Sequence, residues 1–330
     1  MANKATLAVS IIVIFGMSLI ISIPIFILST TLAPYGKIEE SISLYYNPSN
    51  SSFMKELNIN TDIGEVEIGY TYEPVDYSTR VELNLEMLGS GLAEKSYSDY
   101  FIIVWENASS SVNLTVEFKA GIDQSELLSL ISNVDIIVDL SAEVICNINV
   151  IVNVQGGVNI IVPWGVSIGS ILTNISKGDI QFDLSNCIID GNITGFIQKE
   201  GDLELKLYNV QYIHNNTWSL NTQAGDIILE IIQYIDMNGN ISGTITHEQG
   251  YISFIYQDDR INNGAYFTLY YYEDDLTLLN RIDQIVGFNS IHSDEQATFY
   301  LWCYDYPTKN NYNLLINNSN GLFQEFDLDA

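Results

Sequence analysis

The sequence predicts a mainly β protein, with a single N-terminal transmembrane helix followed by a β-solenoid-like or stacked β-repeat domain. Three observations lead there. A Gly-polar-apolar trio recurs in register through the middle of the chain. Alternating polar and apolar residues follow most of these trios. Residues 5–36 carry no charged side chain.

The apolar run at residues 7–32 comes first. It exceeds the roughly 20 residues that span a bilayer, and it is longer than the about 7–15 residues of a signal-peptide core. Residues 1–36 are therefore expected to be a cytoplasmic tip and a retained membrane anchor. Pro24 is tolerable in such a helix. The competing reading is cleavage after Ala33, which would leave Pro34 as the first residue. The α-amine and Lys4 are the positive groups on the short side, so the anchor would be single-pass in the cell membrane with the C-terminal domain extracellular.

Residues 37–134 read as a membrane-proximal β region. Val81-Glu82-Leu83-Asn84-Leu85 and residues 112–118 alternate with the period of two that puts one face in a core. Residues 125–131 alone look helical. Residues 135–330 read as the β-repeat domain, with 178–224 duplicated as 225–272 and a C-terminal cap. Gly178-Asp179-Ile180, Gly191-Asn192-Ile193 and Gly201-Asp202-Leu203 return as Gly225-Asp226-Ile227, Gly239-Asn240-Ile241 and Gly250-Tyr251-Ile252, displaced by 47, 48 and 49 residues. Such a period marks units that bury their apolar faces by stacking. Glycines 178, 191, 201, 225, 239 and 250 are expected at tight turns, where positive φ carries no steric cost without a Cβ. Residues 59–66 echo residues 220–227.

The phrases Val162-Pro163-Trp164-Gly165-Val166, Asn221-Thr222 ahead of Gly225-Asp226-Ile227, and the serial Gly-Asp/Asn-Ile turns carry a resemblance. The chain resembles an adhesin-type β-strand repeat family of uncharacterised function, found on bacterial and archaeal cell surfaces. The resemblance covers residues 145–260 well and 55–70 faintly. It implies a non-catalytic surface module, adhesive or interacting, and it supplies no catalytic residue. An envelope sensor or scaffold binding a partner, and a carbohydrate-active β-helix enzyme, are the other classes kept open.

Charge narrows the partners. Twelve Lys and Arg stand against 41 Asp and Glu, a net charge of −29. Without a basic cluster such a chain cannot neutralise a phosphate backbone, so nucleic acid is excluded. A protein or glycan partner on the external face is expected instead. The acids could take a structural calcium ion through turn Asp and Asn oxygens, although no calcium-loop signature is present. No other cofactor is expected.

Other motifs weigh towards structure. Gly165-Val166-Ser167-Ile168-Gly169 has the spacing of a nucleophile elbow but lacks the helix that motif requires. His214, His247 and His292 have no ligand-spaced neighbours and read as solvent-facing polar residues. Asp258-Asp259 and Glu273-Asp274-Asp275 read as turns. Cys146, Cys187 and Cys303 imply no disulfide framework, and the first two read as buried thiols. Tyr270-Tyr271-Tyr272 and Trp302-Cys303-Tyr304 read as a cap on the core or as a binding face. Asn-x-Ser/Thr acceptors at Asn50, Asn107, Asn113, Asn174, Asn192, Asn215, Asn240 and Asn317 are candidate glycosylation sites.

Overall fold

Alternating residues in this chain become strand after strand, and the strands pair with neighbours several elements away. The computed structural model describes residues 35–47, 54–73, 75–108, 110–232, 240–257, 265–271, 288–293, 298–303, 310–318 and 322–329, with backbone alone at 240, at 254 and from 256 onward. The chain begins with β1 (Tyr35–Tyr46), β2 (Glu56–Ile63), β3 (Glu65–Thr71), β4 (Thr79–Ser90), β5 (Phe101–Asn107) and β6 (Ser111–Phe118). Helix α1 (Gln124–Leu130) and β7 (Ile131–Ser141) follow. Three triplets come next: β8 (Asn147–Gln155), β9 (Val158–Val162), β10 (Ser167–Ile168); β11 (Ile171–Lys177), β12 (Ile180–Ser185), β13 (Ile188–Ile189); β14 (Ile193–Glu200), β15 (Leu203–Tyr208), β16 (Gln211–Tyr212). Then come β17 (Asn216–Ala224), β18 (Ile227–Ile232), β19 (Asn240–Gln249) and β20 (Tyr251–Gln257). The last strands are β21 (Ala265–Tyr271), β22 (Phe288–Ser293), β23 (Thr298–Cys303), β24 (Asn310–Asn318) and β25 (Leu322–Asp329).

Each triplet contributes one strand to each of three sheets, and every strand pairs in parallel with the equivalent strand of the next triplet. The first large sheet runs β1-β4-β7-β3-β9-β12-β15-β18-β20-β25, and the second runs β22-β23-β21-β24-β19-β17-β14-β11-β8-β2-β6-β5. A short third sheet holds β10, β13 and β16. In-register pairing stacks like on like: Ile160, Phe182, Leu205 and Leu229 form one buried row of the first sheet. Ile148, Ile171, Ile193 and Trp218 form one of the second. Both rows belong to a single buried cluster, so the inward faces share one core.

Two sequence expectations are corrected. Among the described residues no helix is long and apolar enough to cross a membrane, and α1 has seven residues, so the transmembrane helix is not supported. The run at 7–32 lies outside the described residues. Nor is closure into a solenoid seen. The third sheet accompanies only three of the described layers, and antiparallel strands end the large sheets at β1–β4, β5–β6 and β22–β23. The layer is also smaller than the sequence period. Glycines 156, 178, 201, 225 and 250 occupy equivalent turns 22, 23, 24 and 25 residues apart, so the 47–49-residue repeat covers two layers.

β2 and β3 pair with β8 and β9, so both large sheets continue across residue 134. Helix α1 falls beside the helical reading at 125–131, one residue earlier at each end. Asp123 caps it by accepting from the Ser125 and Glu126 amides at 2.8 and 3.3 Å.

A candidate ligand-binding corner

Two columns of turns edge the first sheet, and they are built differently. The entry column holds Gly64, Gly156, Gly178, Gly201, Gly225 and Gly250, all with φ between 126° and 153°. Here a Cβ would meet backbone as well as strain. At each of the last five glycines it would fall on the carbonyl oxygen of the glycine one layer below. Asp179, Asp202 and Asp226 follow the glycines and stitch the layers. Their Oδ1 atoms accept from the amides of Asp202, Asp226 and Tyr251 at 2.8, 2.7 and 2.9 Å. These carboxylates are therefore used in turn chemistry. Among the described residues no group of three His, Cys, Asp or Glu side chains is placed to hold a metal ion.

The exit column lies where the same strands end. β3, β9, β12 and β15 close at Thr71, Val162, Ser185 and Tyr208, and the turns beyond them carry Tyr72, Trp164, Asn186 and Asn209. Trp164 is 73% exposed and Tyr72 56%, large apolar faces turned to water. The backbone at Trp164 is nonetheless fixed. Pro163 precedes it, Gly165 follows with φ 78°, the Gly165 amide donates to Asn186 O at 2.9 Å, and the Tyr72 hydroxyl donates to Trp164 O. Asn186 and Asn209 hold φ of 49° and 52°, the left-handed region that short amide side chains tolerate. The Asn209 amide donates to Asn186 Oδ1 at 2.9 Å.

Beside this column, on the outer face of the sheet, Ser185 Oγ donates to Asp183 Oδ1 at 3.0 Å and Lys206 pairs with Glu204 at 2.7 Å. Tyr208, 40% exposed, continues the aromatic edge. Strands lie about 4.8 Å apart, so Tyr72 to Asn209 spans roughly 15 Å. The result is a strip with aromatic faces at Tyr72, Trp164 and Tyr208 and amide donors and acceptors at Asn186 and Asn209. Partial burial and the nearby Cys187 hold the Tyr72 phenol above its ordinary value.

The other candidates fall elsewhere. Ser167 sits on β10, and strand β11 follows it where an elbow needs a helix. His214 lies 3.5 Å from Asp190, both exposed. His247 departs from its solvent-facing reading: it is fully buried, and its Nε2 lies 2.6 Å from Gly225 O. It stacks on Thr222, whose hydroxyl donates to Gly201 O at 3.0 Å, so both residues serve the glycine turns. Cys146 and Cys187 are free and buried, with thiols pushed up to about 12 by burial.

Gly191 has no left-handed φ, and a Cβ there would run into Ser170. Gly239 and Asn50 lie outside the described residues, as do both acidic runs. Asn107, Asn192 and Asn215 are exposed. Asn113 accepts from Asn58 at 2.8 Å and Asn174 from Gln198 at 3.1 Å, on the outer face of the second sheet. Asn240 and Asn317 lie on β19 and β24. A cavity of about 200 Å³ beneath α1, lined by Gly64, Glu65, Asn133 and Gly156, is smaller than the ~300 Å³ at which ligand pockets begin.

Sequence reading missed the strip. Trp164 entered it only as part of a phrase, and nothing in the sequence aligns Tyr72 with Trp164 across 92 residues.

No protein-family model matches the chain, and no curated protein matches it. Among solved structures it is similar to a Clostridium sporogenes protein provisionally named a cell adhesion protein, at 12% identity and a TM-score of 0.33, over 87% of this chain and 98% of that one. A Bacteroides fragilis protein provisionally named an adhesin matches at 9% identity and 0.33, over 87% and 97%. A Parabacteroides distasonis protein provisionally named as lipid-binding matches at 10% and 0.26, over 87% and 96%. Identities and TM-scores this low transfer nothing to this chain.

Proposed function

We propose that this protein is a non-catalytic adhesive module working outside the cell, and that the strip from Tyr72 to Asn209 binds glycan. The observation that carries this is Trp164. A 73%-exposed indole is costly to leave in water, yet the turn around it is fixed from three directions. Flat aromatic faces stack on the apolar face of a sugar ring. The adjacent Asn186–Asn209 amides and the Tyr72 hydroxyl suit its hydroxyl groups. An acidic surface and exposed Asn-x-Ser/Thr acceptors support an extracellular setting. Glycan-array profiling of the full chain tests the reading. Retention of a neutral or basic oligosaccharide class is expected, and binding to no glycan at all would overturn it.

A further inference from the structure

The turns of the exit strip keep one register. Val162 pairs with Leu184 and Leu184 with Leu207, so Trp164, Asn186 and Asn209, each two residues on, hold the same position in successive layers. Ile68 pairs with Ile160, and Tyr72 and Trp164 each lie four residues further, which brings Tyr72 into the same row. Bonds between layers hold the alignment: the Gly165 amide donates to Asn186 O, and the Asn186 amide to Tyr208 O. The row therefore crosses the layers in steps of about 4.8 Å, the spacing of paired strands.

A straight row with that step suits one kind of ligand. In an extended β-1,4-linked sugar chain each pyranose advances by nearly one strand spacing, and the chain stays a flat ribbon. Chains linked α-1,4 or β-1,3 coil away from a line. A ribbon laid across the strands sets one ring over each layer. Tyr72 and Trp164 offer two of the rings an aromatic face. Asn186 spends Oδ1 on the Asn209 amide and leaves its Nδ2 hydrogens for a hydroxyl of the third, and Asn209 stands at the fourth.

Exposure and charge narrow the ligand further. Tyr72, Trp164 and Tyr208 are exposed, so a ligand lies along the row and meets it through ring faces, with no pocket to receive a chain end. Glu73, Asp139, Glu143, Asp183, Glu204 and Glu230 stand about the row. The bases there, Arg80 and Lys206, are already paired with Glu82, Asp139 and Glu204. Such a surface repels uronic and sulfated polymers. The geometry points to a neutral, extended β-1,4-linked glycan, bound side-on through the interior of its chain with one sugar per layer from Tyr72 to Asn209. This narrows the glycan reading above and rests on it.

Calorimetric titration of the full chain with cello-oligosaccharides and N-acetylchito-oligosaccharides of two to six residues tests the ligand class. In at least one series, affinity should climb at least about tenfold from dimer to tetramer and then level off, because the row is then filled. Blocking the reducing end of the hexamer should leave its affinity within about twofold. Asn209→Gly, which keeps the left-handed turn, should weaken the tetramer about threefold or more and leave the dimer and the melting curve unchanged. Affinity that is flat beyond the dimer would overturn the inference, as would loss on end-blocking or an equal loss for dimer and tetramer in Asn209→Gly. Silence in both series while the array retains a different glycan would also overturn it and leave the broader glycan reading standing. An array that retains nothing removes both.

Discussion

The two turn columns of the first sheet sit at opposite ends of the same strands and obey different rules. At the entry column the backbone of each layer rests on the glycine below, so conformation and space both demand glycine. At the exit column only conformation is demanded. Nothing lies within 4 Å of a Cβ built on Gly165, and asparagine fills the equivalent left-handed turns at 186 and 209. One edge is used up in stacking. The other is free to carry side chains that touch something else, and it is there that Tyr72 and Trp164 stand out.

That difference can be broken most sharply at the crowded edge. Gly225→Val puts a branched side chain against Gly201 O at φ 133°, and should cost about 3 kcal/mol or more, read by chemical unfolding. A neutral result would mean the column is not close-stacked. At the free edge, Asn186→Ala should cost about 1 kcal/mol more than Asn186→Gly, because both lose the bond from the Asn209 amide and only alanine also keeps the left-handed strain. Equal losses would show that the Asn209–Asn186 amide bond matters more than backbone conformation.

A smaller effect concerns Glu65 at the first layer of the glycine column. Its carboxyl is held above the ordinary value of 4.5, first by partial withdrawal from water and then by Asp179 and Asp135, against a hydrogen bond from the Gly157 amide. The folded state thus holds the proton more tightly than the unfolded one. Stability from this group is present below pH 4.5 and falls as pH rises through that value to the raised one. Melting temperatures of the parent and Glu65→Gln, compared at pH 4 and 7, should show the parent losing more across the interval. An identical loss would remove Glu65 from the account.

Much of this fold was legible because strand periodicity is local. Val81–Leu85 and Val112–Phe118 alternate in sequence and lie within β4 and β6. The echo of 220–227 in 59–66 was physical too, since Gly64 and Gly225 occupy the same column. The layer length was harder to read. Insertions at the turns stretch each layer by a residue, and Gly191 and Gly239 resemble the column glycines in sequence, although Gly191 belongs to another turn. His247 misled because polarity suggests water, whereas an inward row at that height needs a polar group for Gly225 O. The exit strip depends on pairing between β3 and β9 across a long insertion, and no local pattern encodes that.

Titration of an array-selected oligosaccharide against the parent, Trp164→Ala and Phe196→Ala weighs the central claim most directly. Phe196 is 37% exposed on the outer face of the second sheet and serves as the control. Trp164→Ala should weaken binding about tenfold or more with the unfolding midpoint unchanged, and Phe196→Ala should bind like the parent. Full affinity in Trp164→Ala would contradict the account, as would equal losses in both variants.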